Sequence, residues 1–187
     1  MGGMASGIDD PATKALAVAV HEIERHVAKG GWDGPVRVFA LVRTATAMAT
    51  DPELAAQLPG PVRVAAEGDA HHLTSVEQEG LPSADSLEQL LGVLAWPDTV
   101  DGAAVVVERV VLPPAAESGM PTDDDAAALE YLMTHPDRQD VRIAVGVLRS
   151  GESWGAVRTR TDDADDAVGG SPDLVPGLIE ALRATLA

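Results

Sequence analysis

The chain has no cysteine, a single phenylalanine, a single tyrosine and only two lysines. Without cysteine there is no disulfide scaffold, no thiolate metal site and no cysteine nucleophile, and a reducing cytoplasm suits such a chain. Few aromatics leave an interior built from Ala, Val and Leu, in which Trp32, Trp96 and Trp154 matter individually. Basic side chains number 13 against 30 acidic ones, for a formal charge of −17. A field of that sign repels phosphate backbones and anionic lipid, so neither nucleic acid nor a membrane surface is expected as a partner. A local basic patch still acts on its own, because salt screens over about 8 Å. No apolar run approaches the roughly 20 residues that span a bilayer. Met1–Asp10 carries neither the basic nor the apolar region of a secretory signal, so a cytoplasmic location is expected.

What is present is a foldable sequence. Of its 187 residues 45% are hydrophobic, which suits one domain spanning 1–187, with 1–9 expected to be flexible. Asp10 is placed to cap a helix with Pro11 in its first turn and Leu16, Val20, Ile23 and Val27 at helical spacing, stopped by Gly30-Gly31. Residues 36–43 alternate as a strand, with Val36, Val38, Ala40 and Val42 on one side and Arg37, Phe39, Leu41 and Arg43 on the other. That second side is apolar in its middle and calls for a cover. A short helical region follows at 45–58, a weak edge strand at 62–66, and a polar loop with one turn at 67–82. Leu87, Leu90, Leu91 and Leu94 mark a helix over 85–95. Residues 103–112 give the strongest strand signal and are expected to be central. A helix opens at Thr122 and closes at His135-Pro136, with Leu129, Leu132 and Met133 facing inward. Strands at 141–149 and 153–160 flank Ser150-Gly151-Glu152 as a hairpin. An acidic loop at 161–170 leads to a final helix over 173–186. The expected class is α+β: one mostly antiparallel sheet of four to five strands with packed helices.

Recognised catalytic motifs are missing. His21 and His26 are five apart, about 140° around a helix, and so do not share an ion easily. His71-His72 with Glu67 and Asp69 is the densest ligand-capable cluster, but adjacent histidines in an extended chain point apart. Asp162, Asp163, Asp165 and Asp166 do not follow the spacing of a calcium loop. No serine elbow or phosphate-binding glycine loop is present, and no catalytic residue, metal or cofactor is assigned. The arginines carry more information. Eleven of the 13 basic residues are Arg, and Arg37, Arg43, Arg63, Arg109, Arg142, Arg149, Arg158 and Arg160 fall in or beside expected strands. A basic strip on the sheet would offer forks for a carboxylate or phosphate; the ordinary alternative is cross-strand pairing with Glu108, Glu152 and loop aspartates. Arg37, Arg109, Arg142 and Arg158, with Glu77 and Glu108 as carboxylate partners, are the candidate ligand-binding residues. Arg109 and Arg158 need particular registers to share a face with the other two.

Five segments, HEIERHVAKGGWD at His21–Asp33, LTSVEQEGLP at Leu73–Pro82, LAWP at Leu94–Pro97, VVVERVVLPP at Val105–Pro114 and DLVPG at Asp173–Gly177, resemble a family of small acidic actinobacterial proteins of unknown function. The likeness spans nearly the whole chain. It implies a cytoplasmic bacterial protein and transfers no activity, cofactor or site residue. The leading functional expectation is a non-enzymatic binding or adaptor module that engages another protein or a second copy of itself. One alternative is a small-anion binder or enzyme that uses the arginine-lined sheet face; another is a chaperone-like protein that holds a client.

Overall fold

Asp10 begins the first helix, its carboxylate accepting the backbone N–H of Thr13 at 3.0 Å. The helix, α1, runs Pro11–Ala28. The computed structural model describes residues 7–187. Residues 1–6 of the segment expected to be flexible lie outside the described residues, and Gly7–Asp9 form one 3-10 turn. After α1 come strand β1 (Arg37–Arg43), short helices α2 (Thr44–Thr50), α3 (Pro52–Gln57) and α4 (Gly60–Gly68), strand β2 (Leu73–Glu77) and helix α5 (Leu87–Val93). The chain continues through β3 (Gly102–Val111), α6 (Pro114–Glu117), α7 (Asp125–Thr134), β4 (Gln139–Leu148), β5 (Ser153–Thr159), β6 (Gly169–Ser171) and α8 (Pro176–Ala184).

The strands form one six-stranded sheet in the order β2-β1-β3-β4-β5-β6, antiparallel at every pairing. The α+β class stands, but the sheet has six strands rather than the expected four to five, because two short edge strands, β2 and β6, complete it. β2 replaces the loop expected at 67–82: Leu73 is buried while Ser75, Val76 and Glu77 are exposed, so this edge lacks the alternation that marks a half-buried strand. β6 (Gly169–Ser171) takes up the last two residues of the acidic loop expected at 161–170 and the residue after it. The weak strand expected at 62–66 is instead part of α4, where Pro61 at the helix start favours helical entry. The final helix begins at Pro176, later than 173.

One face of the sheet lies under α1. Leu16, Val20 and Ile23 pack there on Phe39, Leu41, Ala104 and Ala144. The apolar side of β1 is therefore covered by the chain's own first helix. α1 comes so close over Gly146 that a Cβ there would sit 2.6 Å from Val20 Cγ2. The other face lies under α5 and α8, with Leu90, Leu91, Ile179 and Leu182 against Val38, Val105, Ile143 and Val145. Each aliphatic side chain so buried contributes about 1.5–3 kcal/mol. The β4–β5 hairpin turns through Gly151 at φ 114°, a conformation that favours glycine.

β3 and β4 outrun their cover. Residues 102–107 are buried, whereas Glu108–Val111 and the paired Gln139 and Asp140 are exposed or half-buried. The excursion between these strands carries α7, whose Leu129 and Met133, expected to face inward, are exposed, while Leu132 is half-buried. Leu129 is 60% exposed, Met133 is 46% exposed, and no residue of the helix is buried. Helical spacing marks apolar positions but not whether anything lies opposite them. No helix among the described residues is long and apolar enough to cross a membrane.

Candidate functional site

Strand register decides which arginines meet. Glu108 pairs with Arg142 across β3–β4, and Arg142 with Arg158 across β4–β5, so the three side chains form one row on the α1 face. Above the row α1 supplies Glu24, which like Arg142 is only 1% exposed. Charges taken so far from water persist only when paired and hydrogen-bonded. Arg158 donates from Nε to both Glu24 oxygens at 2.8 and 3.1 Å, and from Nη1 and Nη2 to Asp163 at 3.0 Å and Asp165 at 2.6 Å. Arg142 Nη2 donates to the Gly31 carbonyl at 2.5 Å and to Glu108 at 3.4 Å, while Nη1 lies 3.6 Å from Glu24. Its guanidinium stacks over the Trp32 ring at 4.4 Å. Trp32 in turn donates from its indole N–H to Asp163 at 3.0 Å. Arg160 lies 5.6 Å from the same ring and forks onto Asp33 at 3.1 Å from each nitrogen.

The titration of these groups follows from the pairing. The hydrogen bond from Trp32, then those from Arg158, hold the Asp163 carboxyl below its ordinary range; the hydrogen bond from Arg158 does the same for Asp165. Arg158 is pushed up, first by its hydrogen bond to Glu24. Arg37 also lies on the α1 face but takes a separate partner: Nη2 donates to Glu77 at 2.7 Å, and this pairing lowers the Glu77 carboxyl. Glu108 accepts the Asp33 N–H at 3.0 Å besides Arg142. Of the six candidate residues, then, Glu108, Arg142 and Arg158 come together, Arg37 and Glu77 form a neighbouring pair, and all five are committed to internal partners. Glu108, Arg142 and Arg158 make one strip beneath the helix. It is roofed by α1 and sealed at its end by the acidic loop. The Nε and Nη1 atoms of Arg142 make no hydrogen bond within the protein, and the residue is one of those lining a cavity of about 110 Å³.

Arg109 stands apart. One position beyond Glu108 on β3, it projects to the α5/α8 face. Its guanidinium donates only to the neighbouring Glu108 carbonyl, at 3.3 Å, and no ion pair among the described residues includes it. Three clefts meet there. One of 280 Å³ runs toward Trp32, Met133 and Arg138; one of 620 Å³ toward Val36 and Leu81; one of 370 Å³ lies between α5 and α8.

The histidines are placed by packing. His21 accepts from the Trp154 indole at 3.1 Å, and burial lowers its pKa. His26 lies 3.4 Å from Arg37. His72 Nδ1 is 2.8 Å from the Thr44 hydroxyl. No group of three metal-ligating side chains is found among the described residues. Two principal parts of the network were not anticipated from sequence, Glu24 and Trp32. For Glu24 a signal exists: it lies four residues after Val20 and three before Val27, a carboxylate set in the buried stripe of α1.

The structure defines an α+β protein with α1 on one face of an antiparallel sheet, α5 and α8 on the other, and a buried Glu–Arg network under α1. Residues 16–187 match the pattern of the PPA1309-like protein family. The chain belongs to that family, whose description assigns no activity. No curated protein and no solved structure matches the chain.

Proposed function

We propose that this protein is a non-enzymatic binding module of the cytoplasm that docks a second polypeptide on α7 and the uncovered end of the β3–β4 ribbon. One observation carries this: α7, ten residues rich in Ala and Leu, buries none of them. Isolated helices shorter than about 12–15 residues are marginal in water, and helices in proteins draw most of their stability from a packed apolar face. α7 has only slight support within the chain, chiefly the Tyr131 hydroxyl donating to the Ala116 carbonyl at 2.8 Å. Its cover then comes from outside. Support for a non-enzymatic role comes from the clustered acids and arginines, which are committed to one another beneath α1 rather than poised in an open cleft.

Charge selects the partner. The approach to α7 carries Glu117, Asp123, Asp124 and Asp125, and Glu130 lies on the helix itself; Arg138 and Arg109 stand beside Met133 at its far end, in a chain of net charge −17. A second copy would bring the same sign and be repelled, whereas a segment combining apolar and basic side chains is drawn in. A photo-crosslinking side chain at position 129 tests this in the native cell, with one at the equally open Val64 on α4 as control. The expected result is one discrete adduct from position 129, absent at 64 and lost when Met133→Asp is added. Equal labelling at both positions, or a homodimer in light scattering that Leu129→Asp dissolves, would overturn the proposal.

A further inference from the structure

The cleft between α5 and α8 shares Arg109 with the ribbon end beside α7, but its other lining residues are different and give it chemistry of its own. Its 370 Å³ lies within the range of about 300–1,000 Å³ typical of small-molecule sites. Leu91, Val107, Ile143, Leu178 and Ala181 line it, so its floor asks for a hydrocarbon. At its exposed side stands Arg109, which among the described residues has no carboxylate partner. Val175 borders the same cleft at φ 56°, a left-handed conformation that is an outlier for a β-branched residue. Such strain clusters at binding sites, where the surrounding structure holds it. From these three features together we infer that the cleft binds a small aliphatic carboxylate, its chain on Val107, Ile143 and Leu178 and its carboxylate forked by Arg109.

The charge count narrows the class. Among the described residues Arg109 is the only cation lining the cleft and Glu88 the only carboxylate, which suits a single negative charge and disfavours a phosphate dianion. The apolar floor of Leu91, Val107, Ile143, Leu178 and Ala181 suits a hydrocarbon chain. Glu88 at the rim also penalises a second acidic group on the ligand.

Decanoate is a suitable probe, with decylamine as the oppositely charged control of equal length, both below their micellar concentrations. Binding is followed by methyl NMR of the full chain. The expected result is saturable one-to-one binding of decanoate that moves the methyl signals of Ile143 and Leu178 and leaves Met133 on α7 unmoved. Arg109→Gln, at an exposed position, should weaken it about tenfold or more, the scale of a lost charge-assisted fork. Ala181→Phe should abolish it by filling the cleft, and decylamine should not bind. Absence of saturable binding, unchanged affinity in Arg109→Gln, or equal binding of decylamine would overturn the inference. So would a leucine-ended peptide that displaces decanoate from the same methyls, since it would make a polypeptide the ligand. Ala181→Phe alters only this cleft and Leu129→Asp only α7, so this site and the α7 docking surface can fail separately.

Discussion

The two halves of the β3–β4 ribbon have similar valine-rich sequence and opposite fates. At 102–107, Val105, Val106 and Val107 are buried between α1 and the α5/α8 layer; at the other end Val110 is half-buried and Val111 exposed beside an α7 that buries nothing. The arginines divide by face of the sheet instead, since Arg142 and Arg109 lie on adjacent rungs of the ribbon. Arg142 and Arg158, under α1, are enclosed by Glu24, Asp163 and Asp165, whereas Arg109, on the opposite face where the cover ends, has no acid. Residue type does not separate a structural arginine from an available one. What separates them is whether a helix brings a carboxylate over the strand position, and α1 does so only with Glu24.

The largest effect that would sharpen the contrast comes from Glu24→Gln. It leaves Arg142 and Arg158 buried with their central anion removed, and should cost about 3–5 kcal/mol in urea unfolding. A cost near zero would mean that the network is dispensable. Gly146→Ala comes next, since its methyl meets Val20 Cγ2 at 2.6 Å and Leu16 Cδ1 at 3.0 Å; a loss of about 1–3 kcal/mol is expected from forcing α1 off the sheet. A smaller and graded effect comes from acid. His21 has its pKa lowered below 6.5 by burial, so its contribution is complete above 6.5 and declines as pH falls toward the folded value. The carboxyls of Asp163 and Asp165, held below 3.8 by their partners, contribute fully above 3.8 and are lost as pH falls through their folded values. Stability should therefore decline in two stages on acidification, and His21→Gln should remove the first. Smallest of all, Arg109→Gln and Leu129→Asp should change the unfolding free energy of the isolated protein by no more than about 0.5 kcal/mol. A large loss from either would mean that the uncovered end is structural after all.

Much of this fold is legible in the sequence, and the exceptions have physical causes. α1, β1, β3 and the β4–β5 hairpin announce themselves through caps, periodicity and a Gly151 turn, signals that survive without tertiary context. β2 and β6 do not, because edge strands pair on one side only and need little apolar alternation; Thr74–Glu77 is polar and Gly169–Ser171 is too short to show a pattern. Residues 62–66 alternate like a strand, yet Gly60-Pro61 starts a helix there. For the site, the preference for Arg over Lys on the strands was visible, but its meaning depended on register. The pairing Glu108–Arg142–Arg158 puts three candidates in one row, and the next residue, Arg109, turns to the other face. Glu24 was hidden within a helix identified by its apolar residues alone, and Trp32 within a turn.

The central claim, that α7 is a folded element awaiting an external cover, is tested most directly by amide hydrogen exchange of the isolated chain. α8 is the internal standard: it is nine residues to the ten of α7 and buries Ile179 and Leu182 on the sheet. Exchange from α7 should proceed with protection far below that of α8, close to the fraying limit. Equal protection in the two helices would contradict the account, because α7 would then hold its structure without a partner.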